Sequence, residues 1–103
     1  MRIDEIDIVK ETTPTGTRLI LRGRIGLTNA PTLQFELDEL VKKEEIHIIL
    51  NMCQVSFLSS AGIRVILKTH RVVTEMGGCL GIEDPSENVK NVIGMVALDE
   101  LLV

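Results

Sequence analysis

The sequence contains no tryptophan and no tyrosine, and Phe35 and Phe57 are its only phenylalanines. Two rings cannot build a base-stacking platform, which needs successive aromatic faces along a strand of nucleic acid. An excess of positive charge is also missing: 11 lysines and arginines stand against 15 acidic residues, for a net charge of −4. Duplex binding draws its affinity from concentrated Lys and Arg, so nucleic acid is not an expected partner. No apolar run approaches the ~20 residues that cross a bilayer, and no membrane insertion is expected. The N-terminus, Met1-Arg2-Ile3-Asp4-Glu5, is acidic and has no apolar signal-peptide core, which makes the cytoplasm the expected location.

Cysteine and histidine are scarce as well. Cys53 and Cys79 form no Cys-x-x-Cys pair, and His47 and His70 complete no ligand pattern with them. The expectation is two small apolar residues in a reducing compartment, with no disulfide and no structural zinc. What remains is ordinary: 103 residues, 45% hydrophobic and 25% charged, sufficient for a single domain over residues 1–103 with its own core.

Ile6 and Ile8 alternate with charged neighbours, a first strand with one wet face. Thr13-Pro14-Thr15-Gly16 places Pro and Gly where a β-turn takes them, so a hairpin is expected, with the return strand from about Thr17 to Ile25. Leu19, Leu21 and Ile25 share one face of it; Arg18, Arg22 and Arg24 share the other, read as a solvated outer face rather than an anion site. Thr28 or Asn29 then caps a helix with Pro31 in its first turn and Ala30, Leu33, Leu37, Leu40 and Val41 as its buried stripe. Phe35 lies off that stripe and is read as covering the flank of its own helix, the other reading being a partner surface. Ile46 to Met52 is almost wholly apolar and short, the pattern of a strand buried on both faces, with His47 near its start.

A second helix begins at about Ser59 or Ser60. Ile63, Ile66, Leu67, Val73 and Met76 are its expected apolar side, Arg64, Lys68, Arg71 and Glu75 its wet side, and His70 sits at the apolar edge with its polar tip outward. Gly77-Gly78 ends it, and Cys79 to Ile82 reads as a short strand. Asp84-Pro85-Ser86-Glu87 reads as a third helix start with Asp84 as cap, followed by the stripe Val89, Val92, Ile93 and Val96. The apolar tail Leu101-Leu102-Val103 suits a last strand. The expected fold class is α/β: a mixed, mainly parallel β-sheet with an N-terminal β-hairpin and helices packed on it, in the order β-β-α-β-α-β-α with a further β at the end left open.

The junction between the central strand and the second helix, Leu58-Ser59-Ser60-Ala61-Gly62, is where chemistry concentrates. A nucleophilic serine on a strand–helix elbow needs Gly-x-Ser-x-Gly, whereas Ser60 has Leu58 on one flank and Gly62 on the other, and no histidine is placed to serve as base. An enzyme is not expected. The glycines and lysine of a phosphate-binding loop are absent. A phosphorylated serine fits better: its phosphate can accept the first-turn N–H groups while adding bulk and charge to a small-residue surface. Plain helix capping by a serine accounts for the same residues without any function.

The stretch Val55-Ser56-Phe57-Leu58-Ser59-Ser60-Ala61-Gly62-Ile63-Arg64-Val65-Ile66-Leu67 resembles the signature of the STAS domain, in particular of bacterial anti-sigma factor antagonists: a hydrophobic pair, Asp-Ser-Ser-Gly-Leu, then an apolar helix. Gly23-Arg24-Ile25 with Asn29-Ala30 and Leu33, Ile48-Ile49-Leu50-Asn51, and Gly77-Gly78 extend the resemblance over nearly the whole chain. It implies a regulatory binding module that holds an anti-sigma factor, itself a serine kinase of the histidine-kinase-like ATPase type, and is released when phosphorylated; a serine phosphatase resets it. Nucleotide and magnesium belong to those partners, so no cofactor and no metal are expected here. Aligned on Gly62, the family's phosphoserine falls on Ser60, with Ser59 as second candidate, and the partner-binding surface on Ser59, Ser60, Ala61, Gly62, Ile63 and Arg64. The aspartate usual before the phosphoserine is Ser59, and the one that often follows the second strand is Gly26. These departures keep open a STAS scaffold that works without phosphorylation, or a small-ligand or lipid-sensing module in a signalling or transport complex. Many relatives add a C-terminal helix beyond the point reached by Val103, which leaves a homodimer open.

Overall fold

The computed structural model describes residues 6–96 and 98–103; the reading of residues 1–5 as lacking a signal core lies outside them. Alternation in the first 25 residues produces the hairpin. Strand β1 (Ile6–Thr13) and strand β2 (Gly16–Ile25) pair antiparallel from Ile6↔Gly23 to Thr13↔Gly16, with Pro14 and Thr15 as the turn. The chain continues through helix α1 (Ala30–Lys42), strand β3 (His47–Leu58), helix α2 (Ser60–Glu75), strand β4 (Cys79–Glu83) and helix α3 (Glu87–Met95) to a 3-10 turn at Asp99–Leu101. Sheet order is β1-β2-β3-β4, and the β2–β3 and β3–β4 pairs are parallel, as helix crossovers require. The expected order β-β-α-β-α-β-α is the one found. The last strand is reduced to one parallel bridge between Ile82 and Leu102, because the turn at Asp99–Leu101 uses up the tail.

All three helices deliver side chains to one cluster. Leu33 and Leu37 of α1, Ile66 and Val73 of α2, and Val89 and Ile93 of α3 join Leu19, Leu21, Ile48, Leu50, Met52 and Ile82 of the sheet. Among the described residues no such layer covers the other face of the sheet, and β3 is not buried on both sides as its apolar sequence suggests. Ile48, Leu50 and Met52 are buried, whereas His47 is exposed and Ile49 and Asn51 are half-buried.

That outer face is organised by polar pairing across strands. The Glu83 carboxylate on β4 accepts hydrogen bonds from Asn51 Nδ2 at 3.0 Å and from Arg18 Nε at 2.7 Å, and Arg18 also reaches Glu11 at 3.3 Å. The Asn51 hydrogen bond, seconded by Arg18, holds the Glu83 carboxyl below its ordinary range against the opposing effect of partial burial. Arg22 donates to Gln54 at 2.9 Å, and the Arg24 guanidinium lies 4.6 Å from the centre of the Phe57 ring. The three arginines thus point outward as expected, but each is engaged by a neighbouring strand. Both cysteines also fall on exposed positions rather than in the core: Cys53 follows the buried Met52, and Cys79 opens β4 one residue before the buried Leu80.

Two helices differ in detail from their sequence pattern. The buried stripe of α2 is Gly62, Val65, Ile66, Thr69 and Val73, while Ile63 and Leu67 are half-buried and Met76 is 43% exposed. The cause is Gly62. A Cβ there would stand 2.7 Å from both Ile25 Cγ2 and Leu58 Cδ1, so the missing side chain lets the helix close on the sheet with its glycine face inward. Helix α3 begins two residues later than expected: Asp84 adopts φ 46°, and Ser86 caps instead, its Oγ accepting the Val89 N–H at 3.2 Å. Val96, past the helix end, is 45% exposed rather than part of the stripe. Ser86 and Asn88 also close the edge of β3 that β4 is too short to pair, donating from Oγ and Nδ2 to the Val55 and Ser56 carbonyls at 2.6 Å each.

Two outcomes follow. Gly62→Ala should destabilise the fold by about 1–3 kcal/mol through overpacking, read as a lower urea midpoint at unchanged m-value; an unchanged midpoint would show that α2 can shift freely. For Glu83 the folded-state pKa is depressed, so its contribution is present above the ordinary glutamate range and is lost as pH falls below about 4.3 towards the folded value. Thermal melts of Glu83→Gln should therefore lie below wild type near neutral pH and converge with it in acid; parallel profiles would remove the Asn51–Arg18 clamp as a stabilising feature.

The serine junction as candidate functional site

β2 and β3 end side by side, Ile25 against Leu58, and the Ser59 N–H donates to the Ile25 carbonyl at 2.9 Å as the last rung before the chain turns into α2. Ser59 keeps extended dihedrals, φ −86° and ψ 171°, and its Oγ accepts the Gly62 N–H at 3.3 Å. It is the N-cap, half-buried, with its oxygen committed to the helix. Ser60 is the first helical residue and is exposed. Ala61 and Ile63 are half-buried, Gly62 faces inward against Ile25 and Leu58, and Arg64 is exposed one turn beyond Ser60. The structure therefore separates the two serines: one is structural, the other presents its hydroxyl to solvent.

The electrostatics of the junction favour an anion. The first turn of α2 carries no acidic side chain, so nothing intrinsic offsets the positive end of the helix dipole. The amides of Ser60 and Ala61 precede the intrahelical ladder and have no acceptor within it. Arg64, four residues on, is within i,i+4 reach of a group on Ser60. The geometry offers little for nucleophilic catalysis. His70 lies about 15 Å along the helix axis from Ser60, ten residues at the ordinary rise, and His47 is at the opposite end of β3. The Nδ1 of His70 is moreover buried without a hydrogen-bond partner.

The neighbouring loop between β2 and α1 is held by a residue whose role the sequence does not announce. Asn29 occupies the N-cap position of α1, but its side chain makes no capping bond. Its Oδ1 accepts the Gly26 N–H at 2.9 Å and its Nδ2 donates to the Arg24 carbonyl at 2.6 Å, folding the loop back on the end of β2. An asparagine between a glycine and a helix reads equally well as a cap or as such a tie; only the loop's path decides. On that loop Leu27 is 79% exposed, and Phe57, under Arg24, is 40% exposed at the same end of the sheet. Phe35 is 60% exposed and forms one wall of an open groove of about 300 Å³ between α1 and α2, with Val41, Lys68, Thr69 and Val72. A further depression of about 470 Å³, lined by Gln34, Ala61, Arg64, Val65 and Lys68, runs up to the serine junction.

Comparison with known proteins agrees with this geometry. The chain is similar to the anti-sigma F factor antagonist of Paenibacillus polymyxa, 23% identical over 83 residues, 80% of this chain and 71% of that protein. Its fold is similar to the crystal structure of an anti-sigma factor antagonist from Mycobacterium paratuberculosis, with a TM-score of 0.85 and 20% identity over 96% of this chain and 84% of that one. The Bacillus cell-fate determinant SpoIIAA, in its phosphorylated form, superposes with a TM-score of 0.76 and 18% identity over 94% of this chain and 89% of that one. The sequence also matches the STAS domain family over residues 7–102, from the start of β1 through the serine junction to the C-terminal bridge. With the hairpin, the parallel crossovers and the strand–serine–helix junction all in place, the chain belongs to the STAS domain family.

Proposed function

We propose that this protein is an anti-sigma factor antagonist that binds an anti-sigma factor and is released from it by phosphorylation of Ser60. The observation that carries the reading is the division of labour at the junction: Ser59 spends its oxygen on the Gly62 N–H, leaving Ser60 exposed at a helix start with no local negative charge. The names of the relatives support the partner class, and the existence of SpoIIAA in a phosphorylated form supports phosphate as the modifying group. The partner is then a serine kinase of the histidine-kinase-like ATPase type, and a serine phosphatase restores the binding form. Ser59 is the poorer acceptor, since modifying it removes the cap of α2.

The switch works by what phosphate does on a closely packed surface. Unmodified, Ser60, half-buried Ala61 and Ile63, and exposed Arg64 form a shallow contact of small side chains with one cation. A phosphate on Ser60 brings about −1.5 to −2 charges, which first-turn amides and Arg64 can accept without rearranging the fold. A partner seated there instead meets extra volume and a desolvated dianion. Such an unpaired charge at an interface costs a few kcal/mol, roughly a hundredfold or more in affinity.

The departures at Ser59 and Gly26 favour a second reading in which the same surface binds its partner constitutively. One set of measurements separates the two. Incubation with the switch-type kinase of the same genome and ATP should place phosphate on Ser60, mapped by mass spectrometry. Ser60→Asp should weaken partner binding about a hundredfold in calorimetry while moving the melting temperature little, because the substitution adds a favourable charge at a helix N-terminus. Equal affinity of Ser60→Asp and Ser60→Ala would select the constitutive scaffold, and phosphate on another residue would overturn the assignment of Ser60.

A further inference from the structure

The sheet register brings together two residues that stand 32 positions apart. His47 opens β3, Cys79 opens β4, and the two are paired across the parallel ladder. Both side chains are exposed, and Cys79 Sγ lies 3.6 Å from His47 Nδ1. Zinc bonds thiolate sulfur at about 2.3 Å and imidazole nitrogen at about 2.0–2.1 Å; at the tetrahedral angle two such ligands are about 3.6 Å apart. The pair already has the edge length of a tetrahedral thiolate–imidazole zinc site.

The backbone beneath the pair is firmly held. The Cys79 N–H donates to the Ile46 carbonyl at 2.9 Å, and Gly78 and Gly16 lie so close to the Ile46 and His47 carbonyls that neither position has room for a Cβ. Ligands on fixed strand starts keep their spacing, which a metal site needs more than it needs reach. Yet no group of three or more ligating side chains exists among the described residues, so one chain supplies only half of a coordination shell. The missing half has a natural source. A second copy related by a two-fold axis at this end of the sheet would contribute the same Cys79 and His47 and complete a Cys₂His₂ tetrahedron.

We propose that His47 and Cys79 form a half-site for zinc, closed by a second copy of this chain. Each Cys79 thiol gives up its proton to solvent and binds as thiolate, and each His47 binds through a neutral ring nitrogen, with no change in oxidation state. The site lies at the opposite end of β3 from Ser59 and Ser60, so a zinc-joined pair carries its two serine junctions facing away from each other.

The test uses the full chain, reduced with a non-chelating phosphine, in sedimentation or light scattering with zinc, with magnesium, and with zinc followed by a chelator. Zinc alone should double the mass, with about one metal per two chains, and the chelator should reverse it. Cys79→Ser and His47→Ala, both at exposed positions, should melt like wild type and stay monomeric in zinc, while Cys53→Ser should still dimerise. Four results overturn the proposal: no mass change with zinc, zinc bound by a chain that stays monomeric, dimerisation retained in Cys79→Ser, or a dimer that the chelator does not reverse.

Discussion

The approach of α2 to the sheet at Gly62 governs more of this molecule than any other contact. Because no Cβ intervenes, the helix start can rest on Ile25 and Leu58, the last residues of the two central strands. That proximity lets the Ser59 N–H close the final rung with Ile25, which in turn fixes Ser59 in the extended conformation an N-cap requires. Once Ser59 is the cap, Ser60 has to be the first helical residue and has to face outward. A packing constraint on one glycine thus decides which of two adjacent serines is accessible. Chemistry at the junction is a consequence of that packing.

How much of this could be read from the chain depends on how local its cause is. The alternation of Leu19, Leu21 and Ile25 with arginines, the turn at Pro14-Thr15 and the glycine stop after Glu75 all act within a few residues, and the strands and helices they mark are where they were expected. The junction was legible for the same reason: a serine pair between an apolar run and a helical pattern is a local signal. The stripe on α2 keeps the expected Ile66 and Val73 but not Ile63 and Leu67, because hydrophobicity weights those two above a glycine and a threonine, whereas packing rewards Gly62 and Thr69 for being small enough to approach. Glu83 meets Arg18 65 residues away and Cys79 meets His47 across two strand starts. No periodicity in a single segment carries such pairings, since they are properties of register.

The polar face of the sheet shows how a nearly continuous apolar strand can be half wet without strain. Half-buried Ile49 pairs in register with Arg18, whose hydrogen bonds, with those of Asn51 and Glu83, satisfy most of the polar atoms of this face. The same logic explains Arg24 and Phe57, where a cation lies over a ring that is partly open to solvent.

The sealing of β3 by the start of α3 has a consequence beyond the fold of one chain. A strand edge with free carbonyls is a template on which other strands can add, and the half of β3 beyond Asn51 would be such an edge if Ser86 and Asn88 did not occupy it. On the same flank, the bridge between Ile82 and Leu102 blunts β4. Strand addition is left with β1, where Asp7, Lys10 and Glu11 are exposed. Charges along an open edge discourage like chains from stacking there.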